Sequence, residues 1–128
     1  MAVNHKQLAG RTGEDAAVSF VRKLGYQVIS RNFRVRNGEI DIICLDESEG
    51  KGKKATLVFI EVKTRLSQQF GTPFEAITPW KMQALVRTAE VFKMTNRNLP
   101  EGMRIDAISV MLDQQKQVIE IEHLKSIT

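Results

Sequence analysis

The sequence predicts an α/β fold, a mixed β-sheet flanked by helices in the order αβββαββ. Three observations predict it. Five short runs are β-prone and apolar or alternating, and two longer segments repeat apolar residues at helical spacing. Only brief polar stretches separate them, so strands and helices must pack on one another.

Residues 5 to about 25 read as the first helix. Ala17, Val21 and Leu24 form one apolar row and Ala16, Phe20 and Leu24 a second, with Gly25 as the stop signal. Glu14 lies three residues before Ala17 and seven before Val21, so it projects on the side of the apolar stripe. Gly10 and Gly13 permit close backbone approach there. Tyr26 to Val35 alternates as a strand, Asn37-Gly38 is a two-residue hairpin signal, and Glu39 to Leu45 (EIDIICL) is the returning strand. The polar connector Asp46 to Thr56 leads to a third strand, Leu57 to Thr64, completing an antiparallel meander.

The second helix starts at Thr78 as N-cap with Pro79 in the first helical position. Met82, Leu85, Val86, Ala89 and Phe92 form its apolar stripe, and Trp80 is expected in the core rather than as a base-stacking platform. Asn96 to Gly102 ends it. Arg104 to Leu112 and Gln117 to Leu124 are the last two strands, joined near Asp113-Gln114.

Length and composition set bounds on function. The 128 residues suit a single domain, 1–128, able to bury roughly two-thirds of its unfolded surface. A content of 42% hydrophobic and 27% charged residues is that of a soluble globular chain, and no apolar run reaches membrane-span length. The start lacks a secretory pattern, and the lone Cys44 sits in an apolar run, so a cytoplasmic protein with a buried thiol is expected. Net charge is +4, and no acid occurs between Asp15 and Glu39, where Arg22, Lys23, Arg31, Arg34 and Arg36 fall. Such a stretch fits a polyanionic partner or a solvated basic face, and charge alone does not separate the two.

Acids inside apolar strands carry more information. Along a strand, Leu57, Phe59, Glu61 and Lys63 share one face, and Glu39, Asp41, Ile43 and Leu45 another. Antiparallel pairing through the 46–56 connector sets Asp41 beside Glu61 and Lys63. Two carboxylates forced together repel unless one is protonated or a cation joins them. Mg²⁺ suits that arrangement because it takes oxygen ligands, keeps several waters and needs only one or two protein carboxylates. Zinc does not, since Cys44, His5 and His123 form no ligand cluster. The pattern E-x-K is weak alone, recurring at Glu49-Gly50-Lys51 in the polar connector. Its place at the end of a buried strand distinguishes Glu61-Val62-Lys63.

Gly13-Glu14 with Ala17, Arg31-Asn32, Gly38 to Asp41 (GEID), Phe59 to Arg65 (FIEVKTR) and Arg104-Ile-Asp106 resemble, in order and over roughly residues 9 to 123, the small bacterial YraN-like family. That family is similar to archaeal Holliday junction resolvases within the PD-(D/E)xK nucleases. Ile40 stands where the superfamily's name has proline. The resemblance implies a restriction-endonuclease-like core and a Mg²⁺- or Mn²⁺-dependent endonuclease acting on DNA, branched or junction DNA included. By position it makes Asp41, Glu61 and Lys63 catalytic, with Glu14 as an extra acid on the first helix. The metal would be held by Asp41, Glu61 and the Val62 carbonyl. Glu39 is a further candidate acid, and Arg31, Arg34, Arg36, Arg65 and Lys81 are candidate phosphate contacts. A homodimer is implied by the likeness to resolvases, whose two sites would cut two strands. Two other classes stay open: a nucleic-acid-binding module that no longer cuts, and an assembly subunit without nucleic-acid affinity. Asp106 is expected to be structural, and His5 and His123 have no assigned role.

Overall fold

A computed structural model describes residues 5–67, 74 and 77–128. Among these, the elements are α1 (His5–Lys23), β1 (Gln27–Val35), β2 (Gly38–Asp46), β3 (Thr56–Leu66), α2 (Pro79–Thr95), β4 (Met103–Leu112) and β5 (Val118–Leu124). The five strands form one sheet in sequence order. β1, β2 and β3 are antiparallel neighbours, β3 and β4 run parallel across the α2 crossover, and β5 returns antiparallel. The predicted α/β class and element order are thus found. No helix among the described residues is long and apolar enough to cross a membrane.

The helices cover opposite faces of the sheet. Ala17, Val18 and Val21 of α1 pack on Ile42, Cys44, Val58, Ile60, Ile108 and Val110. Leu85, Ala89 and Phe92 of α2 pack on Ile40, Ile43, Leu57, Phe59 and Ile105. Full burial of each large side chain contributes about 1.5–3 kcal/mol, which makes these two layers the main stabilising term. Cys44 is fully buried among them, and burial pushes its thiol up to about 12, so it stays protonated at neutral pH.

Local signals set the element ends. Thr78 caps α2 by accepting the Lys81 N–H at 3.2 Å, with Pro79 beginning the helix. Gly25 ends the first helical segment at φ +92°, a conformation that residues with a Cβ avoid. The first hairpin differs from expectation. Val35 pairs with Gly38, so the two-residue loop is Arg36-Asn37, and Gly38 is already strand. Packing accounts for the glycine as a strand residue, since a Cβ on Gly38 would fall 2.0 Å from Thr88 Oγ1 on α2.

A buried polar network ties β2, β4 and β5 to the chain end. Arg104 reaches Asp106 at 2.8 Å, Asp46 at 3.2 Å and the Tyr26 hydroxyl at 3.0 Å. Asp106 also accepts from His123 Nε2 at 2.8 Å and from the Ser126 N–H at 3.0 Å. Burial would raise the Asp106 pKa, but these donors overcome it and hold the carboxyl below its usual range. Asp106 and His123 therefore have structural partners.

Candidate active site

Strict alternation fails at one point in β2, and the site forms there. Ile42 and Cys44 face α1 as the pattern requires, but Ile40 packs with Ile43 on the α2 side. The reversal falls between the Arg31↔Ile42 and Phe33↔Ile40 rungs of the β1–β2 ladder. Asn32, on the β1 side of that gap, has φ +55°, a left-handed conformation that Asn tolerates better than most residues. The register is unchanged across this gap, so Asn32 and Asp41 leave the regular pleat opposite each other. Asp41 lies in the same gap.

The β2–β3 ladder ends at Ile42↔Ile60. Beyond it β2 and β3 diverge, and the Val62 N–H donates to Asp41 Oδ2 at 2.7 Å. Asp41 thus takes over a strand hydrogen bond at the fork. Glu61, one residue earlier on β3, is 4% exposed, so its carboxylate depends on protein partners. Lys81 Nζ of α2 stands 3.1 Å from Glu61 Oε1, and Lys63 Nζ is 3.9 Å from the same oxygen.

The third acid arrives from α1. A Cβ on Gly13 would lie 1.9 Å from Thr64 Oγ1, so helix backbone rests directly on the end of β3. The next residue is Glu14. Arg31 Nε and Asn32 Nδ2 both donate to Glu14 Oε1, at 3.1 and 3.0 Å, and Arg31 also binds Asp15 at 2.7 Å. Arg31-Asn32 therefore orients the helix acid.

These acids act on Asp41 together. Desolvation chiefly, then the negative charge of Glu61, with Glu14 and Glu39 adding, push Asp41 up to about 7 against the opposing Val62 hydrogen bond. Near neutrality this carboxyl is poised between its two forms. A cleft of about 750 Å³ opens over it, lined among others by Glu14, Asp41, Val62, Lys63, Arg65 and Lys116.

The structure brings Asp41, Glu61, Lys63 and Glu14 to one end of β3. Glu39 lies nearby but is half exposed and bound to Arg34 at 3.2 Å, its cross-strand partner. Of the candidate phosphate contacts, Arg31, Arg34 and Lys81 are each paired with an acid, Arg36 is exposed at the hairpin tip, and Arg65 lines the cleft. Two residues depart from the sequence expectation or were absent from it. Trp80 is 81% exposed instead of buried, because it lies five residues from Leu85, about 140° round the helix from the packed stripe. Lys116 enters the cleft from the β4–β5 turn at φ +61°, a placement with no local sequence signal.

Among the described residues no group of three or more His, Cys, Asp or Glu side chains is placed to hold a metal ion by itself. A hard divalent cation does not need one, since Mg²⁺ binds through one or two carboxylates and its own waters. Asp41 and Glu61 fit that requirement: both offer oxygen ligands, and burial followed by the charge of Glu61 raises the Asp41 pKa, a charge that a cation would offset.

Comparison with known proteins gives a consistent match. The model of the family described as "Uncharacterised protein family UPF0102" matches residues 13–110. The chain is 40% identical over 122 residues to a UPF0102 protein of Caldicellulosiruptor saccharolyticus, covering 95% of this chain and 98% of that protein. It is similar to a UPF0102 protein of Syntrophomonas wolfei (40% identity, 86% of this chain, 90% of that one). A UPF0102 protein of Geotalea daltonii is also similar, at 38% identity over 95% of this chain and 90% of the relative.

Proposed function

The chain belongs to the uncharacterised protein family UPF0102, the YraN family that its sequence resembles, and we propose that it is a Mg²⁺- or Mn²⁺-dependent endonuclease hydrolysing phosphodiester bonds in DNA, branched DNA included. One observation carries the reading. At the β2–β3 fork, Asp41 takes the Val62 N–H and stands in the field of Glu61 and Glu14, with Lys63 beside them. A merely solvated ion pair has no need of a buried Glu61 acting on Asp41, nor of Asp41 and Glu14 together lining an open cleft.

Asp41 and Glu61, with the Val62 carbonyl, would hold the cation. When bound, it would lower the pKa of a water and offset charge on phosphorus. The chain's own groups do the rest. The Lys63 ammonium, at the cleft wall, faces charge developing on the phosphoryl oxygens and helps orient the attacking water. Arg31 and Asn32 hold Glu14 toward the cleft, and Arg65 and Lys116 offer positive charge along its walls. Hydrolysis forms a bond from water oxygen to phosphorus and breaks the bond to one ester oxygen, which leaves with a proton.

The test is cleavage of a labelled panel (duplex, single strand, flap, four-way junction) with Mg²⁺ or Mn²⁺, beside Glu61→Gln. The expected result is cleavage by the native chain and none by a variant that remains folded. Undiminished cleavage by Glu61→Gln would overturn the assignment. A second reading, a nucleic-acid-binding module that does not cut, is favoured by the Lys81–Glu61 pair, which already gives the buried acid a cation. It predicts metal-independent, salt-sensitive binding and no product from any substrate in the panel.

A further inference from the structure

Trp80 is the chain's only tryptophan and the only aromatic residue among its described exposed large hydrophobics. At 81% exposure nearly all of its indole faces water. A ring of this size is normally the most profitable side chain to bury. Its position sets it apart from a random surface residue. It lies in the first turn of α2, beside Lys81, whose ammonium touches the buried Glu61 at 3.1 Å. Trp80 is thus one residue from the side chain that pairs with Glu61, on the helix opposite the one whose Glu14 lines the cleft.

The surrounding charge selects an occupant. On the side of α2 that carries Trp80, the residues over the next two turns are Gln83, Ala84 and Arg87, with no acid before Glu90; Lys81 is paired with Glu61. Arg87 lies seven residues beyond Trp80, two turns along the same side of the helix. An exposed indole on a helix side whose nearest charge is the exposed Arg87 matches a ligand with a flat apolar face and negative charge. An unpaired nucleobase on its phosphate backbone has both. Single-strand binding sites use this combination, with aromatic platforms for bases and positive charge for the backbone. In a duplex the base faces are stacked on one another and closed to the indole.

We propose that Trp80 is a stacking platform for an unpaired nucleobase on the helix that supplies Lys81 to Glu61, so that the preferred substrate contains a single-stranded or splayed segment. This rests on the reading of the chain as a protein acting on nucleic acid and names the substrate class. The platform works without the divalent cation, because stacking and backbone charge need none.

The sole tryptophan supplies the test. The full chain in EDTA is titrated with an oligothymidylate and with a duplex of equal length while indole fluorescence is followed. Saturable quenching by the single strand, with little by the duplex, is the expected result. Trp80→Ala should weaken single-strand binding, followed by anisotropy of a labelled strand, by about 5- to 150-fold. Its duplex affinity and thermal midpoint should not change, and Trp80→Phe should recover most of the loss. Equal single-strand affinity of Trp80→Ala and the native chain would overturn the proposal, as would equal quenching by duplex. A fluorescence shift on dilution of the protein alone would also overturn it, assigning the indole to contact with a second copy. Binding without cleavage would leave the platform standing and remove only the nuclease reading.

Discussion

Gly13 of α1 and Thr64 of β3 approach so closely that a Cβ on the glycine would stand 1.9 Å from the threonine hydroxyl oxygen and 2.9 Å from its Cβ. Glycine is required because any side chain would lift the helix from the strand, and Glu14 would lift with it. Gly13→Ala is expected to cost about 1–3 kcal/mol in urea unfolding, the usual range for overpacking. The double variant with Thr64→Ala should recover part of the loss, since it removes the nearest atom and leaves the 2.9 Å contact. A Gly13→Ala protein as stable as the native chain would show that the helix does not rest on β3.

Asp41 makes stability depend on pH in the direction opposite to a paired carboxylate. The folded chain keeps this proton up to about 7, whereas the unfolded chain releases it near 3.8. Between those values the folded state binds more protons, so this group reduces stability as pH rises. The effect is absent below the unfolded value and complete above about 7. It amounts to at most about 4 kcal/mol. Asp41→Asn keeps an acceptor for the Val62 N–H and removes the charge. In EDTA at pH 8 it should be the more stable protein, and the difference should vanish by pH 4. Urea midpoints across that range check the point, and a constant difference would contradict it.

Mg²⁺ binding should expel the Asp41 proton where the metal-free site still holds one. Affinity, and cleavage with it, should therefore rise as pH passes through about 7 and level off above. Calorimetry in buffers of different ionisation enthalpy reports the released proton directly. No proton release at pH 6 would exclude Asp41 as a ligand.

Lys81 is an ammonium partner of Glu61, an acid that would help hold the metal. Lys81→Met should make metal-free protein less stable by about 1–3 kcal/mol, because a buried acid loses a partner, and should tighten Mn²⁺ binding by about tenfold, roughly 1.4 kcal/mol of removed competition. Titration with Mn²⁺ alone, without DNA, measures this. An unchanged dissociation constant would place Lys81 outside the metal's competition.

Arg104 is the counterpart away from the site. It neutralises Asp106 and Asp46, both buried, so Arg104→Met should cost about 3–5 kcal/mol by stranding those charges. Mn²⁺ affinity of the surviving folded fraction should match the native chain. A parallel loss of metal affinity would tie this network to the site.

Much of this arrangement was legible in the sequence, for identifiable reasons. Acids that interrupt apolar strands are conspicuous, which is why Asp41 and Glu61 stood out, and Thr78-Pro79 announced α2 through backbone chemistry local to four residues. What escaped was non-local. Alternation assumes an unbroken pleat, and the left-handed Asn32 breaks it opposite Asp41. The acid-free stretch from Ala16 to Gly38 looked like free positive charge, but Arg31 spends its guanidinium on Glu14 and Asp15 from the preceding helix. Trp80 was expected inside because burial is favourable for tryptophan, yet a first-turn residue off the apolar stripe has no core within reach.

The fork that places Asp41 has a consequence for synthesis. Past Ile60, β3 has lost β2, and the rungs under Glu61 and Lys63 come from Ala107 and Ser109 of β4 alone. Every acid proposed for the site is translated by residue 61, but the strand that fixes two of the four catalytic candidates emerges some forty residues later. A nascent chain therefore carries the complete set of reactive groups for much of its elongation without the scaffold to aim them. On the proposed reading, the site is assembled only once β4 has left the ribosome and paired with β3.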